Sequence, residues 1–283
     1  MSRSQKLAAG VIEMLSSPTE LGIAFVTDAR LRPDGEKGLL INTLAAHEEY
    51  YRARAQLWEI QALTRARAVA GDEKVGAAFQ KLAAELTDFR MTDGGGIAPP
   101  FPLPLEGKAP KHPARRLPSC VRPGWAMQIA RMRERIEHER TPAGQDALAF
   151  KTGKGGLMDI EFIAQAMCLA HGWQEPNTLR ALQRMRDTGV PPRSEAEKWI
   201  ESYRLLRRVE SILRRWSFEG EAVLPEDAAA FYRVSVRCGF ESAEAFRGAV
   251  AAWRRNIREG YQKVFGVRQP SGASESPSHL TPP

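Results

Sequence analysis

The chain has 283 residues, 43% of them hydrophobic, enough for one or two globular domains with real cores. Its formal net charge of +7 permits an acidic partner without choosing among nucleic acid, nucleotide phosphates and acidic protein. Cys120, Cys168 and Cys238 lie far apart, so neither a zinc spacing nor a disulfide framework is supported, and no apolar run approaches membrane-spanning length. The N-terminus lacks the apolar core of a signal peptide, and reduced thiols in a cytoplasmic setting are the expectation.

Residues 5–17 place Leu7, Val11, Met14 and Leu15 at helical spacing, and Ser16-Ser17-Pro18 stops that helix. The stretch from Phe25 to Gly35 then reads as a β-strand ended by Pro33 and Gly35. Strand side chains alternate, so Asp28, Arg30 and Arg32 share one face while Phe25, Ala29 and Leu31 face a core. A carboxylate on such a face can hold Mg²⁺, and arginines can fork onto phosphate oxygens. The alternative is a surface strand with a local Asp–Arg ladder. Leu39-Leu40-Ile41 reads as a second short strand closing a hairpin. Thr43 caps a helix running to about Leu63, with Leu44, Tyr51, Ala55 and Trp58 inward. Thr64 to Ala70 suggests another short strand, with Arg65 and Arg67 on one face, and Asp72 caps a helix reaching about Phe89.

Residues 91–122 change character. A triple glycine leads into a proline-rich run that sustains neither helix nor internal strand, so an exposed insert or linker is expected. From Trp125 the chain is helical almost without interruption. Helices are expected over Trp125–Arg140, Leu157–His171, Pro176–Asp187, Ser194–Trp216, Pro225–Cys238 and Ser242–Val264, joined by short loops as in an antiparallel bundle. Residues 267–283 are rich in Ser and Pro and read as a disordered tail. The division expected is 1–90, 91–122, 123–266 and 267–283. The fold class is mostly α, with a partial α+β part preceding the bundle.

Three further stretches could carry chemistry. Arg65 and Arg67 repeat the spacing of Arg30 and Arg32, and four arginines around Asp28 would suit a triphosphate; a solvated edge strand is the alternative. Glu59 could pair with one of them. Lys151 to Gly156 is a Gly-rich loop running into a helix start, where outward N–H groups with Lys151 and Lys154 could meet an anion. It has no Walker A spacing. Asp159 and Glu161 sit two apart on that helix and point away from each other, so they would not converge on one ion and suit a structural, regulatory or interface role. In the run Tyr203 to Trp216, Leu206, Val209, Ile212, Leu213 and Trp216 form a core stripe beneath solvated arginines.

Taken together, these stretches resemble the glutamine synthetase adenylyltransferases, the bifunctional adenylylating and adenylyl-removing enzymes. The matching residues are Asp28-Ala29-Arg30-Leu31-Arg32-Pro33-Asp34-Gly35 with Gly38-Leu39-Leu40, then Trp58-Glu59 through Arg67, Gly71-Asp72, and Lys151 through Gln165. The resemblance covers 5–90 and 123–265. Gly38-Leu39-Leu40 and Met158-Asp159-Ile160-Glu161-Phe162 look more like the C-terminal, adenylylating half.

The resemblance implies a partial nucleotidyltransferase domain followed by a helical domain, with ATP as substrate and Mg²⁺ as cofactor. The implied reaction transfers AMP to a tyrosine of glutamine synthetase; the full enzymes also remove it. Asp28 would be the third acidic residue of the site, a metal ligand and an activator of the tyrosine hydroxyl, with Arg30, Arg32, Arg65 and Arg67 on phosphates. Glutamine synthetase and a PII-type signal protein are the implied partners. The family's Gly-Ser turn and Asp-x-Asp pair are absent before Asp28. The chain is therefore expected to be an N-terminally truncated C-terminal half that is inactive alone. One alternative is a non-catalytic helical module that binds glutamine synthetase or a PII-type protein. A nucleic-acid binder is disfavoured, since no aromatic–basic interleaving of that kind occurs.

Overall fold

The computed structural model describes residues 2–20, 22–23, 25, 27–90, 117–217 and 221–266. Helix α1 (Arg3–Ser16) opens on Ser2, whose hydroxyl accepts from the Gln5 backbone N–H. It is followed by two antiparallel strands of two residues each, β1 (Pro18–Thr19) and β2 (Gly22–Ile23), and by a 3₁₀ turn at Gly35–Lys37. Helices α2 (Leu44–Ala53), α3 (Leu57–Leu63) and α4 (Glu73–Leu86) complete the first part. Then come α5 (Trp125–Arg140), α6 (Leu157–His171), α7 (Thr178–Thr188), α8 (Arg193–Ser217), α9 (Ala228–Cys238) and α10 (Ala243–Phe265).

The molecule is mostly α, as its periodicity predicts, and the cap residues explain several boundaries. Thr43, Asp72 and Ser242 each accept a hydrogen bond from a first-turn N–H of α2, α4 and α10, satisfying donors that a helix start leaves open. The segment expected as one helix from Thr43 to Leu63 is broken into α2 and α3. The break lies at Gln56, where Glu59 folds back onto the Gln56 N–H at 2.8 Å and starts a new helix.

The expected strands at Phe25–Gly35, Leu39–Ile41 and Thr64–Ala70 do not form among the described residues. An isolated strand leaves its ladder groups unpaired, and here side chains take them instead. Asp28 Oδ1 accepts from the Arg30 N–H, and the Arg32 guanidinium donates to the carbonyl of Ala29. Near Ile41, Gln5 does the same job: its Nε2 donates to the Ile41 carbonyl at 2.8 Å and its Oε1 accepts from the Ile41 N–H at 3.3 Å. Without a sheet to cover them, Leu7, Val11, Met14, Phe25 and Leu31 are exposed. Leu44 and Trp58, expected inward, are exposed too, whereas Tyr51 and Ala55 are buried.

One apolar core runs through both parts, from Tyr50, Leu57 and Ile60 through Leu86 and Phe89 to Phe246, Ile257 and Phe265. Phe89 joins them, its N–H donating to the Leu169 carbonyl at 3.0 Å and its ring meeting Trp125 edge-on. Consecutive helices from α5 to α10 pack on one another, with α10 also against α5, α6 and α8. It meets α8 tightly at Gly260, where a Cβ would lie 2.5 Å from the Trp199 ring. A mid-helix glycine costs about 1 kcal/mol of helix propensity, and here it admits a fully buried indole. Along α8 the expected stripe is buried at Leu206, Val209 and Leu213, and Ile212 packs at its edge. Most of the proline-rich segment, the tail at 267–283 and the Trp216 side chain lie outside the described residues.

Candidate functional site

Asp28 and Arg30 form a tight exposed pair. The Arg30 Nε lies 2.9 and 3.0 Å from the two carboxylate oxygens, and its Nη2 is 2.6 Å from Oδ2. These hydrogen bonds, first from the side chain and then from the backbone of Arg30, hold the Asp28 carboxyl down to about 2. Arg32 turns instead to the carbonyls of Ala29, Glu36 and Gly38. Asp34 is bound by Arg54 at 2.8 Å. No hydrogen bond or ion pair among the described residues links Asp28, Arg30 or Arg32 to Arg65 or Arg67. Arg65 faces the bundle, 3.5 Å from Glu161, and Arg67 is exposed. The four-arginine cleft suggested by the repeated spacing is therefore not assembled.

This donor set does not fit a resident Mg²⁺. Both oxygens of Asp28 face Arg30, and no cluster of three metal-ligating side chains occurs among the described residues. Glu59 is not an arginine partner either: it is buried and accepts from the Tyr50 hydroxyl at 2.8 Å.

The Gly-rich loop is closed upon itself. The N–H groups of Gly153, Gly156, Leu157 and Met158 donate to carbonyls of Ala149, Gly153, Phe150 and Lys151, so they do not form the outward anion cradle expected. The Gly155 N–H donates to Asp159 Oδ2 at 2.8 Å. Asp159 is fully buried and lies 2.6 Å from Arg133, itself fully buried, and 3.1 Å from Arg258. Arg133 in turn donates to the Thr152 and Gly153 carbonyls. Gly155 has φ +70°, and a Cβ there would strike the Arg254 backbone carbonyl. The loop is thus a clasp between α5, α6 and α10 built on a buried carboxylate.

Asp159 and Glu161 diverge as the helical angle requires. Glu161 turns to Arg65, and burial pushes its carboxyl above the usual carboxylate range. Gln61 of α3 reaches Gln165 of α6 at 2.6 Å beside it. Lys151 pairs with Glu210 of α8 at 3.1 Å, while Lys154 stays exposed. Arg133, Arg254 and Arg258, which hold the clasp, were not legible as a group. They look like solvated arginines on charged helices, and only the i, i+4 spacing of Arg254 and Arg258 hints at a shared face.

The glutamate-ammonia ligase adenylyltransferase family model matches residues 3–82, and the GlnD PII-uridylyltransferase model matches 126–265. The bifunctional glutamine synthetase adenylyltransferase/adenylyl-removing enzyme of Streptomyces coelicolor is 30% identical over 94% of this chain and 24% of its own length. The enzyme of the same name from Mycobacterium avium is 31% identical over 94% of this chain and 25% of its own. That from Nitrosococcus oceani is 29% identical over 93% of this chain and 24% of its own. The chain is thus a relative of the glutamine synthetase adenylyltransferases, and it spans about a quarter of the length of the curated relatives it matches. No helix among the described residues is long and apolar enough to cross a membrane.

Proposed function

We propose that this chain serves adenylyl transfer to glutamine synthetase in a cytoplasmic setting, and that its own residues do not complete the catalytic site. The observation that carries this reading is similarity to adenylyltransferases along nearly the whole chain, joined to a site with one arginine-bound carboxylate. Divalent-cation chemistry would supply charge neutralisation at the phosphates. Asp28 would contribute to such a site only after releasing Arg30, and the missing acidic pair would have to come from other residues.

Asp28 is a poor general base as it stands. A carboxyl near 2 gains little by taking a proton from a tyrosine hydroxyl whose ordinary pKa is near 10. Its first role would be to orient Arg30, whose guanidinium could then meet an ATP phosphate. Arg67, exposed and without an ion pair among the described residues, would serve the same use. The bundle would dock glutamine synthetase, and a PII-type protein is its second candidate partner.

The test is transfer of label from α-³²P-ATP to glutamine synthetase with Mg²⁺, comparing the chain with Asp28→Asn. No transfer by either protein, with retention of glutamine synthetase by the immobilised chain, is expected. Robust turnover that depends on Asp28 would overturn the claim that the site is incomplete. Failure to retain glutamine synthetase would remove the docking role.

A further inference from the structure

A basic groove lies beside the clasp and shares Arg254 and Arg258 with it. It has a volume of about 600 Å³, within the range of small-molecule sites, and it is framed by α10, the Gly-rich loop and the start of α9. Its floor is apolar, formed by Leu148, Leu224, Phe231 and Val250. Its rim carries Lys154, Arg247, Arg254, Arg255 and Arg258, and Glu259 is the one carboxylate among the described lining residues.

The cations are not equivalent. Arg258 is neutralised from below by Asp159 and Glu137. Arg254 is held by carbonyls rather than carboxylates: its Nη1 donates to Ala147 at 2.7 Å and its Nε to Lys154 at 3.0 Å. Burial pushes its guanidinium below the ordinary value, and no acidic side chain among the described residues lies within ion-pair distance of it. Arg247 is laid over the Phe231 ring, 4.4 Å from its centroid, again without a carboxylate. Arg255 and Lys154 are exposed and unpaired among the described residues. Elsewhere in the molecule arginines find carboxylates readily, as at Arg54, Arg90, Arg133 and Arg207. Here two guanidiniums are set in place by carbonyls and by a ring rather than by ion pairs, and Arg254 feels Asp159, Asp146 and Glu137 only beyond ion-pair distance, so both can still turn to an anion.

We propose that this groove binds an organic polyphosphate with a flat apolar body, a nucleoside polyphosphate in class, at a place separate from Asp28. The phosphates would lie against Arg254, Arg255 and Lys154, and the apolar body over the floor beside Arg247. An inorganic anion would use the rim without the floor, and an apolar nucleoside the floor without the rim. The compound carrying both is therefore expected to bind tightest.

The experiment is calorimetric titration of the full chain with ATP, adenosine and pyrophosphate, on the parent protein and on Lys154→Glu, Arg255→Glu, Arg135→Ala and Asp28→Asn. Both charge reversals fall on exposed side chains, and matching circular dichroism melts would verify their folds. ATP is expected to bind the groove more tightly than adenosine or pyrophosphate. Its Kd should rise at least tenfold in each charge-reversal variant and stay unchanged in Arg135→Ala, an exposed arginine outside the groove. Absence of ATP binding at millimolar concentration would overturn the proposal. So would affinity that disappears with Asp28→Asn but survives both reversals, since the nucleotide would then sit at the first site. Displacement of ATP by a polyglutamate peptide of higher affinity would overturn it in favour of a protein-docking face. None of these outcomes depends on label transfer, so the two readings fail separately.

Discussion

Removing the Asp159 carboxylate tests whether the clasp holds the bundle together. In Asp159→Ala, Arg133 would keep its charge at zero exposure, with only Glu137 at 3.6 Å and two carbonyls as partners. Arg258 would lose its 3.1 Å contact and the Gly155 N–H its acceptor. Deleting one partner of a buried ion pair costs about 3–5 kcal/mol, because the remaining charge stays desolvated. Domains have only about 5–15 kcal/mol to lose. At about 2–4 °C per kcal/mol, the melting midpoint should fall by roughly 6–20 °C. Thermal melts followed by circular dichroism measure this, with Arg135→Ala as a control, since that arginine forms only an exposed pair at 3.8 Å with Glu139. A drop no larger than that of the control would refute the reasoning. It would mean that Arg133 relaxes to solvent and that the clasp is not bound by its carboxylate.

Two other perturbations probe neighbouring features. Gly155→Ala forces a side chain into a left-handed backbone position and onto the Arg254 carbonyl, so a loss of at least about 1–3 kcal/mol in urea unfolding is expected, and a neutral result would show that the loop can re-form. His171 is buried against Trp173, its Nε2 has no hydrogen-bond partner among the described residues, and burial depresses its pKa to about 4. A depressed value means that the neutral ring contributes fully above pH 6.5 and that this contribution is lost as pH falls toward 4. About 3 kcal/mol is at stake. His171→Phe should flatten the stability profile between pH 6.5 and 5. Glu137 and Glu161 run the other way: their raised values favour the fold at low pH, and that contribution is lost as pH rises through them. Parallel pH profiles in parent and variant would exclude His171 as the source.

The helices were legible because each announces itself locally. Apolar residues three and four apart mark α10, and Thr43, Asp72 and Ser242 cap as their chemistry predicts. The strands were not, because alternation describes only half of a strand: the other half is a neighbour, and no neighbour beyond the two-residue hairpin pairs with the described residues. The same limit explains the candidate site. Asp28, Arg30 and Arg32 stand at strand spacing, yet without a sheet the short side chain of Asp28 folds onto Arg30 and Arg32 turns to carbonyls. The divergence of Asp159 and Glu161 is legible in the sequence, since helical angle alone decides it. That Asp159 meets Arg133 and Arg258 required three helices to converge, which no local pattern encodes.

The seat of Trp199 on Gly260 carries a consequence for how such chains diverge. The two positions share one volume, so neither can change freely. A lineage that acquires alanine at 260 must first or simultaneously trade the indole at 199 for a smaller ring, and a reversal at one position alone would be purged. Across descendants the pair should therefore be inherited as a unit. Designers recombining segments of related chains should keep 199 and 260 from the same parent.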